Sequence, residues 1–200
     1  MGMLIIVYMR YKLLGKTGLR VSELCLGGMT FGEEWGSMVP GASKEARKIF
    51  DIFVNKGGNF IDTANVYQNG TSEKYIGEFI SSEREKFVLA TKYTLTTNPD
   101  DPNASGNHRK NLVQSVDASL KRLNTNYIDL WIHVWDPLTP IEEVMRALDD
   151  MVRSGNILYI GISDAPAWVV SYTNAIATTH DWTPFVAIRQ CTTRHTKKVE

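Results

Sequence analysis

The sequence predicts an α/β fold built on a parallel sheet, and three observations carry that prediction. Short apolar runs alternate with amphipathic segments of roughly ten to sixteen residues, the pattern of βαβ units. Six such strand–helix steps follow an N-terminal hairpin, the last without its helix. No linker or low-complexity stretch divides them. Two architectures remain open, a doubly wound sheet and a (β/α) barrel. No Gly-x-Gly-x-x-Gly follows an early strand, which weighs against a dinucleotide-binding Rossmann domain.

Residues 1–9 read as an extension outside the fold. Their apolar run, Met3 to Tyr8, is far short of the roughly 20 residues that span a bilayer, and no small-residue cleavage site follows. Tyr11–Leu14 and Leu19–Val21 flank Gly15-Lys16-Thr17-Gly18 and form a hairpin. Gly15-Lys16-Thr17 has the look of a phosphate loop, but position 10 is Arg where that loop needs glycine. Leu24-Cys25-Leu26-Gly27-Gly28 is a buried strand ending in glycines, where backbone can approach a ligand. The loop from Met29 to Ala42 is either a site loop or a plain connector.

Ser43 is placed as the N-cap of a helix to Lys56, with Ala46, Ile49, Phe50, Phe53 and Val54 on one face. Phe60–Asp62 is the next strand, and Ser72–Ile80 the next helix. Lys86–Thr91 is a strand that ends in Lys92. A polar loop, Thr96–Asn107, leads to a helix over His108–Leu123. Tyr127–Ile132 is a strand ending at His133. Pro140 opens a helix to Arg153. Ile157–Ile162 is a strand followed by Ser163, Pro166 starts a helix to about Thr178, and Phe185–Ile188 is the last strand.

At 200 residues the chain is one domain by length. Its 22 basic and 22 acidic side chains cancel, so no net field invites nucleic acid or an anionic membrane. Cys25 and Cys191 lie far apart and match no metal-ligand spacing. They read as free thiols in a reducing compartment, which makes a cytoplasmic location the expectation.

Four polar groups stand at or just past four successive strand ends: Asp62, Lys92, His133, and Ser163 with Asp164. Tyr67 sits in the loop beyond the first. Each alone has a plain reading as a capped strand end, a solvated lysine, a structural histidine or a surface aromatic. Parallel neighbouring strands would bring them to one rim, where catalytic groups collect in α/β folds. A free tyrosine, with a pKa of about 10, is a poor acid at neutral pH. A nearby ammonium lowers that value, and a carboxylate keeps the ammonium charged and in place. A histidine can hydrogen-bond a substrate oxygen. Such a set protonates a carbonyl oxygen while something else attacks the carbon. It contains no good nucleophile and is a poor metal site. The attacking species then comes from a cofactor, and hydride from a nicotinamide fits best.

The chain resembles the aldo-keto reductases, in the branch of aryl-alcohol-type reductases and potassium-channel β subunits. The resemblance rests on Tyr11 to Ser22, Gly28-Met29-Thr30-Phe31-Gly32, Asn59-Phe60-Ile61-Asp62-Thr63-Ala64 with Tyr67, Ala90-Thr91-Lys92, Tyr127-Ile128-Asp129-Leu130 with His133, and Gly161-Ile162-Ser163. It implies a (β/α)8 barrel whose hairpin closes the bottom, and NADPH-dependent reduction of aldehydes and ketones. By position, Tyr67 would be the general acid, Lys92 would lower its pKa, Asp62 would pair with Lys92, and His133 would orient the carbonyl. Gly28, Met29 and Thr30 would lie beside the nicotinamide ribose. Asp62, Ser163 and Asp164 would complete the cofactor side.

The resemblance thins after Ile188. The family has a glutamine and then an aromatic that stacks on the nicotinamide, whereas here Arg189 intervenes, Gln190 comes one place late, and no aromatic follows. Residues 10–200 are therefore expected to form an incomplete barrel of about six βα units, ending before the last two strands. Such a barrel should expose apolar interior side chains and two open edges, an expected route to self-association. It should also bind NADPH weakly. The alternative reading is a non-catalytic module that acts through a protein partner.

Overall fold

The computed structural model describes residues 9–35 and 42–190. The apolar run before Met9, the middle of the loop after Met29 and the segment from Cys191 onward lie outside the described residues.

A two-stranded antiparallel hairpin comes first, β1 (Tyr11–Leu13) with β2 (Arg20–Ser22). Six parallel strands follow, in the order β3 (Cys25–Gly27), β4 (Phe60–Asp62), β5 (Val88–Tyr93), β6 (Ile128–Val134), β7 (Ile157–Ser163) and β8 (Ala187–Arg189). Between them run α1 (Ala42–Asn55), α2 (Thr71–Ile80), α3 (Arg109–Leu123), α4 (Ile141–Arg153) and α5 (Ala167–Thr179). Each strand pairs with the next in sequence, with no switch point where the order reverses. A doubly wound sheet has such a reversal. The curled sheet is instead that of the first six strands of a (β/α)8 barrel.

Register divides the side chains into two layers. The barrel face carries Cys25 and Gly27, Phe60 and Asp62, Val88, Ala90 and Lys92, Leu130, Ile132 and Val134, Tyr159, Gly161 and Ser163, and Ala187 and Arg189, each aligned with its neighbours across the sheet. The other face packs under the helices through Ile61, Leu89, Tyr93, Trp131, Ile160 and Ile162. β5 is buried along its whole length on both faces, as a central parallel strand must be.

The expected exposure of apolar interior does not occur at the lower end of the barrel. Leu14 and Val21 of the hairpin join Val88, Ala90, Leu130 and Ile132 in one cluster, with every member at most 7% exposed. The hairpin turn presses on the residue just before the last strand, since a Cβ at Gly15 would sit 2.2 Å from the Val186 carbonyl oxygen. Gly15 also has a positive φ of 55°, so the turn needs glycine twice over. Among the described residues β3 and β8 are the edge strands. Each is three residues long, which leaves little template for edge pairing.

The boundaries differ from expectation in a few places. α1 already includes Ser43 in its first turn, so this residue does not precede the helix. Its buried stripe is Ala46 and Phe50, with Phe53 and Val54 packed alongside, while Ile49 stays 44% exposed. β5 begins at Val88, after a short turn of 3-10 helix over Arg84–Lys86, and β8 begins at Ala187, not Phe185. His108 caps α3, its Nδ1 accepting from the Asn111 N–H.

Candidate active site

Asp62 is the last residue of β4, and its backbone carbonyl accepts the Gly28 N–H at 2.8 Å. Lys92 is the next-to-last residue of β5 on the same barrel face. Its Nζ lies 2.6 Å from Asp62 Oδ1 and donates to the Thr63 carbonyl oxygen at 2.5 Å. The ammonium is almost fully buried, so this pair is what keeps a charge there tolerable. Burial still pulls the Lys92 pKa down, against the opposing pull of Asp62.

Tyr67 opens the tight turn between β4 and α2. The two residues after it, Gln68 and Asn69, both have left-handed backbone, at φ 50° and 53°. Asparagine adopts this readily, but glutamine does so at a cost of about 1 kcal/mol. Buried Gln68 is held there by Trp35 N–H donating to its Oε1 at 2.9 Å and by its own Nε2 donating to the Met29 carbonyl at 3.3 Å. Trp35 then meets the Tyr67 ring edge-on, with centroids 6.1 Å apart. The Lys92 Nζ stands 5.0 Å from the centroid of the Tyr67 ring, over its face. Burial, first, and then the Asp62 carboxylate hold the phenol above its ordinary pKa, while the charge of Arg189 works the other way. The expected depression of Tyr67 by Lys92 is not what this arrangement produces.

His133 does not join this group. Its strand partner is Tyr93, not Lys92, whose partner is Ile132. Alternation therefore turns His133 to the helix side, and Val134 takes the barrel face at the rim. There the imidazole lies 5.1 Å from the Phe185 ring and lines a small cleft with Asn107, Asp136, Ile162, Val169 and Thr173. It is 3% exposed, its Nδ1 has no partner among the described residues, and burial pushes its pKa down to about 4.

Of the residues expected on the cofactor side, Ser163 ends β7 on the barrel face and Asp164 follows in left-handed backbone, φ 55°. Ser163 Oγ donates to Asp164 Oδ2 at 2.8 Å. Gly28, Met29 and Thr30 form a turn closed by Phe31 N–H donating to the Gly28 carbonyl at 2.9 Å. That turn is anchored by two hydroxyls without an assigned role in the sequence. Ser72 Oγ donates to the Gly28 carbonyl at 2.7 Å, so the 2.7 Å contact between Thr63 Oγ1 and Ser72 Oγ has Thr63 as donor. Ser72 is in turn placed by its neighbour Glu73. The fully buried Glu73 carboxylate accepts from Thr91 Oγ1 and Arg122 Nε, each at 2.6 Å, which locks α2 to β5 and α3.

The curled parallel sheet, the capping hairpin and the Asp62–Lys92–Tyr67 cluster at its rim agree with a match of residues 23–193 to the Aldo/keto reductase family. The chain belongs to the aldo-keto reductase family. Among aldo-keto reductase relatives, the chain is 50% identical over 177 residues to norsolorinic acid reductase stcV of Emericella nidulans, covering 84% of this chain and 46% of that protein. It is 50% identical over 188 residues to norsolorinic acid reductase B of Dothistroma septosporum, covering 89% and 48%. It is 46% identical over 182 residues to an NADP(+) aryl-alcohol dehydrogenase of Phanerodontia chrysosporium, covering 84% and 47%. The chain thus spans about half the length of the curated relatives it matches.

Within the aldo-keto reductase frame, the motif Tyr127-Ile128-Asp129-Leu130 has a structural explanation. Asp129 Oδ2 accepts from Arg84 Nη2 at 2.6 Å and from the Leu89 N–H at 3.0 Å, below the site and away from the rim. Arg84 also donates to the Phe87 and Tyr127 carbonyls, so one buried ion pair fastens the entries of β5 and β6.

Proposed function

We propose that this chain carries the proton-donating site of an NADPH-dependent reductase of aldehydes and ketones, with Tyr67 as general acid. The observation that carries the reading is the buried Lys92–Asp62 pair set against the face of Tyr67 at the rim of a parallel barrel. The names of the relatives point to aromatic carbonyl compounds as the substrate class.

The residues that would hold the nicotinamide half of the cofactor are Gly28, Met29 and Thr30 with Asp62 on one wall, and Ser163 and Asp164 on the other. The wall beside Asp62 has room for a planar group, because Gly27 aligns with Asp62 and nothing lies within 4 Å of where its Cβ would be. The Asp164 carboxylate offers acceptors to an amide N–H. The bound cofactor supplies hydride to the carbonyl carbon. The chain's own part is to hold the carbonyl oxygen against the Tyr67 hydroxyl and to give it a proton. Lys92 and Asp62 fix the electrostatics of that transfer, and Trp35 limits the tilt of the phenol ring. The carbonyl oxygen takes its hydrogen bond from Tyr67 without His133.

Titration of the full chain with NADPH, followed by fluorescence, and NADPH oxidation with an aromatic aldehyde test this reading. Saturable binding with turnover that vanishes in Tyr67→Phe is the expected result. Turnover that survives Tyr67→Phe, or an absence of binding, overturns it.

A further inference from the structure

The rim holds a second cation that the reading above leaves unused. Arg189 closes β8 and aligns with Ser163 of β7. Alternation places its side chain on the barrel face, the face of Lys92 and Asp62. The Asp164 N–H donates to the Arg189 carbonyl at 3.1 Å, pinning the end of β8 to the end of β7. The residue is exposed, and among the described residues no carboxylate pairs with its guanidinium.

Four charged groups act around the Tyr67 phenol from the elements that surround it: Asp62 on β4, Lys92 on β5, Asp164 after β7 and Arg189 on β8. Lys92 is neutralised by Asp62 at 2.6 Å and sits over the ring face. Of the two cations in this set, Arg189 is the one without a paired carboxylate among the described residues, and its field favours the deprotonated form of Tyr67, of Lys92 and of Cys25 at the start of β3. A guanidinium stays charged at any working pH. His133, expected to orient the carbonyl, lies on the other face of the sheet.

We propose that Arg189 is a positioning residue of this site, its guanidinium stabilising the tyrosinate that forms when Tyr67 gives its proton to the substrate carbonyl oxygen. The inference rests on the carbonyl-reductase reading. In the step concerned, the carbonyl carbon accepts hydride from the dihydronicotinamide, the π pair moves to oxygen, and that oxygen takes the phenolic proton. Water then reprotonates the tyrosinate.

The test compares the wild-type chain with Arg189→Gln, Arg189→Met and Arg189→Lys. The first readout needs no cofactor: tyrosinate absorbance is followed from neutral to strongly alkaline pH, and the Tyr67 component is isolated by subtracting the Tyr67→Phe titration. Arg189→Gln and Arg189→Met should move that component up by about one pH unit, and Arg189→Lys should stay near wild type. The second readout is kinetic: kcat should fall about tenfold in the two neutral variants, with KM within about twofold. An unmoved Tyr67 titration in folded Arg189→Gln and Arg189→Met overturns the proposal, whatever the activity. A wild-type chain without turnover refutes the reductase reading instead, and the titration still decides the role of Arg189.

Discussion

Tyr93 and His133 stand opposite one another across β5 and β6, on the face of the sheet turned away from Lys92. That one alignment separates the histidine from the tyrosine, lysine and aspartate it accompanies in the sequence. It also makes His133 a buried neutral imidazole among aromatic rings, with Asp136 as the nearest charge acting on it.

Acid should therefore weaken the fold through His133. Its folded pKa of about 4 lies below the ordinary imidazole value of 6.5, so the unfolded chain binds the extra proton first as pH falls. The stabilising contribution is complete above 6.5 and is lost progressively between 6.5 and 4. It amounts to about 3 kcal/mol. His133→Phe should flatten this part of the stability–pH curve, measured by urea unfolding, while kcat at neutral pH changes less than about threefold. A loss of activity as large as that of Tyr67→Phe would place the imidazole in the chemistry after all.

Asp129→Ala should be far more damaging to stability than to catalysis. It leaves the Arg84 guanidinium buried without its carboxylate and the Leu89 N–H without an acceptor. A cost of about 3–5 kcal/mol is expected in urea unfolding, with kcat of the remaining folded protein near wild type.

Ser72→Ala should loosen the turn from Gly28 to Phe31, which the proposed function sets beside the cofactor. The Gly28 carbonyl keeps the Phe31 N–H but loses its hydroxyl donor, and Thr63 Oγ1 loses its acceptor in a fully buried setting. Expected are a loss of about 1–3 kcal/mol in stability and an increase in KM for NADPH that exceeds the fall in kcat. A kcat loss with unchanged KM would contradict the anchoring role.

Gly77→Ala sets two effects against each other. Alanine in the interior of α2 gains up to about 1 kcal/mol in helix propensity. Its Cβ would, however, stand 2.5 Å from the Leu123 carbonyl oxygen, and backbone of α3 cannot yield as a side chain can. Overpacking should win by about 1–3 kcal/mol. Thermal melting checks this, at about 2–4 °C per kcal/mol for a chain of this size.

The order of elements was legible because each apolar run and each amphipathic segment carries its own period. The Asp62–Lys92 pair was legible for a related reason: ions at the ends of apolar strands have few places to go but the rim. His133 was misplaced because β6 is buried on both faces. With Leu130 and Ile132 on one side and Trp131 on the other, no polar residue marks which parity looks inward. Trp35 and Gln68 escaped notice since their bond joins two loops 33 residues apart, and loop-to-loop contacts have no period. The expected uncovered interior erred by counting strands alone. The hairpin residues Leu14 and Val21 cover the lower layer of the described strands.

The contact of the Gly15 turn with Val186 joins nearly the two extremes of the described chain. The hairpin and the residue before β8 come from distant parts of the sequence, so their contact carries the loop-closure entropy of the long chain between them. Val88, Leu130 and Ile132, covered by Leu14 and Val21, owe their burial to contacts of high sequence separation, the kind that slows folding.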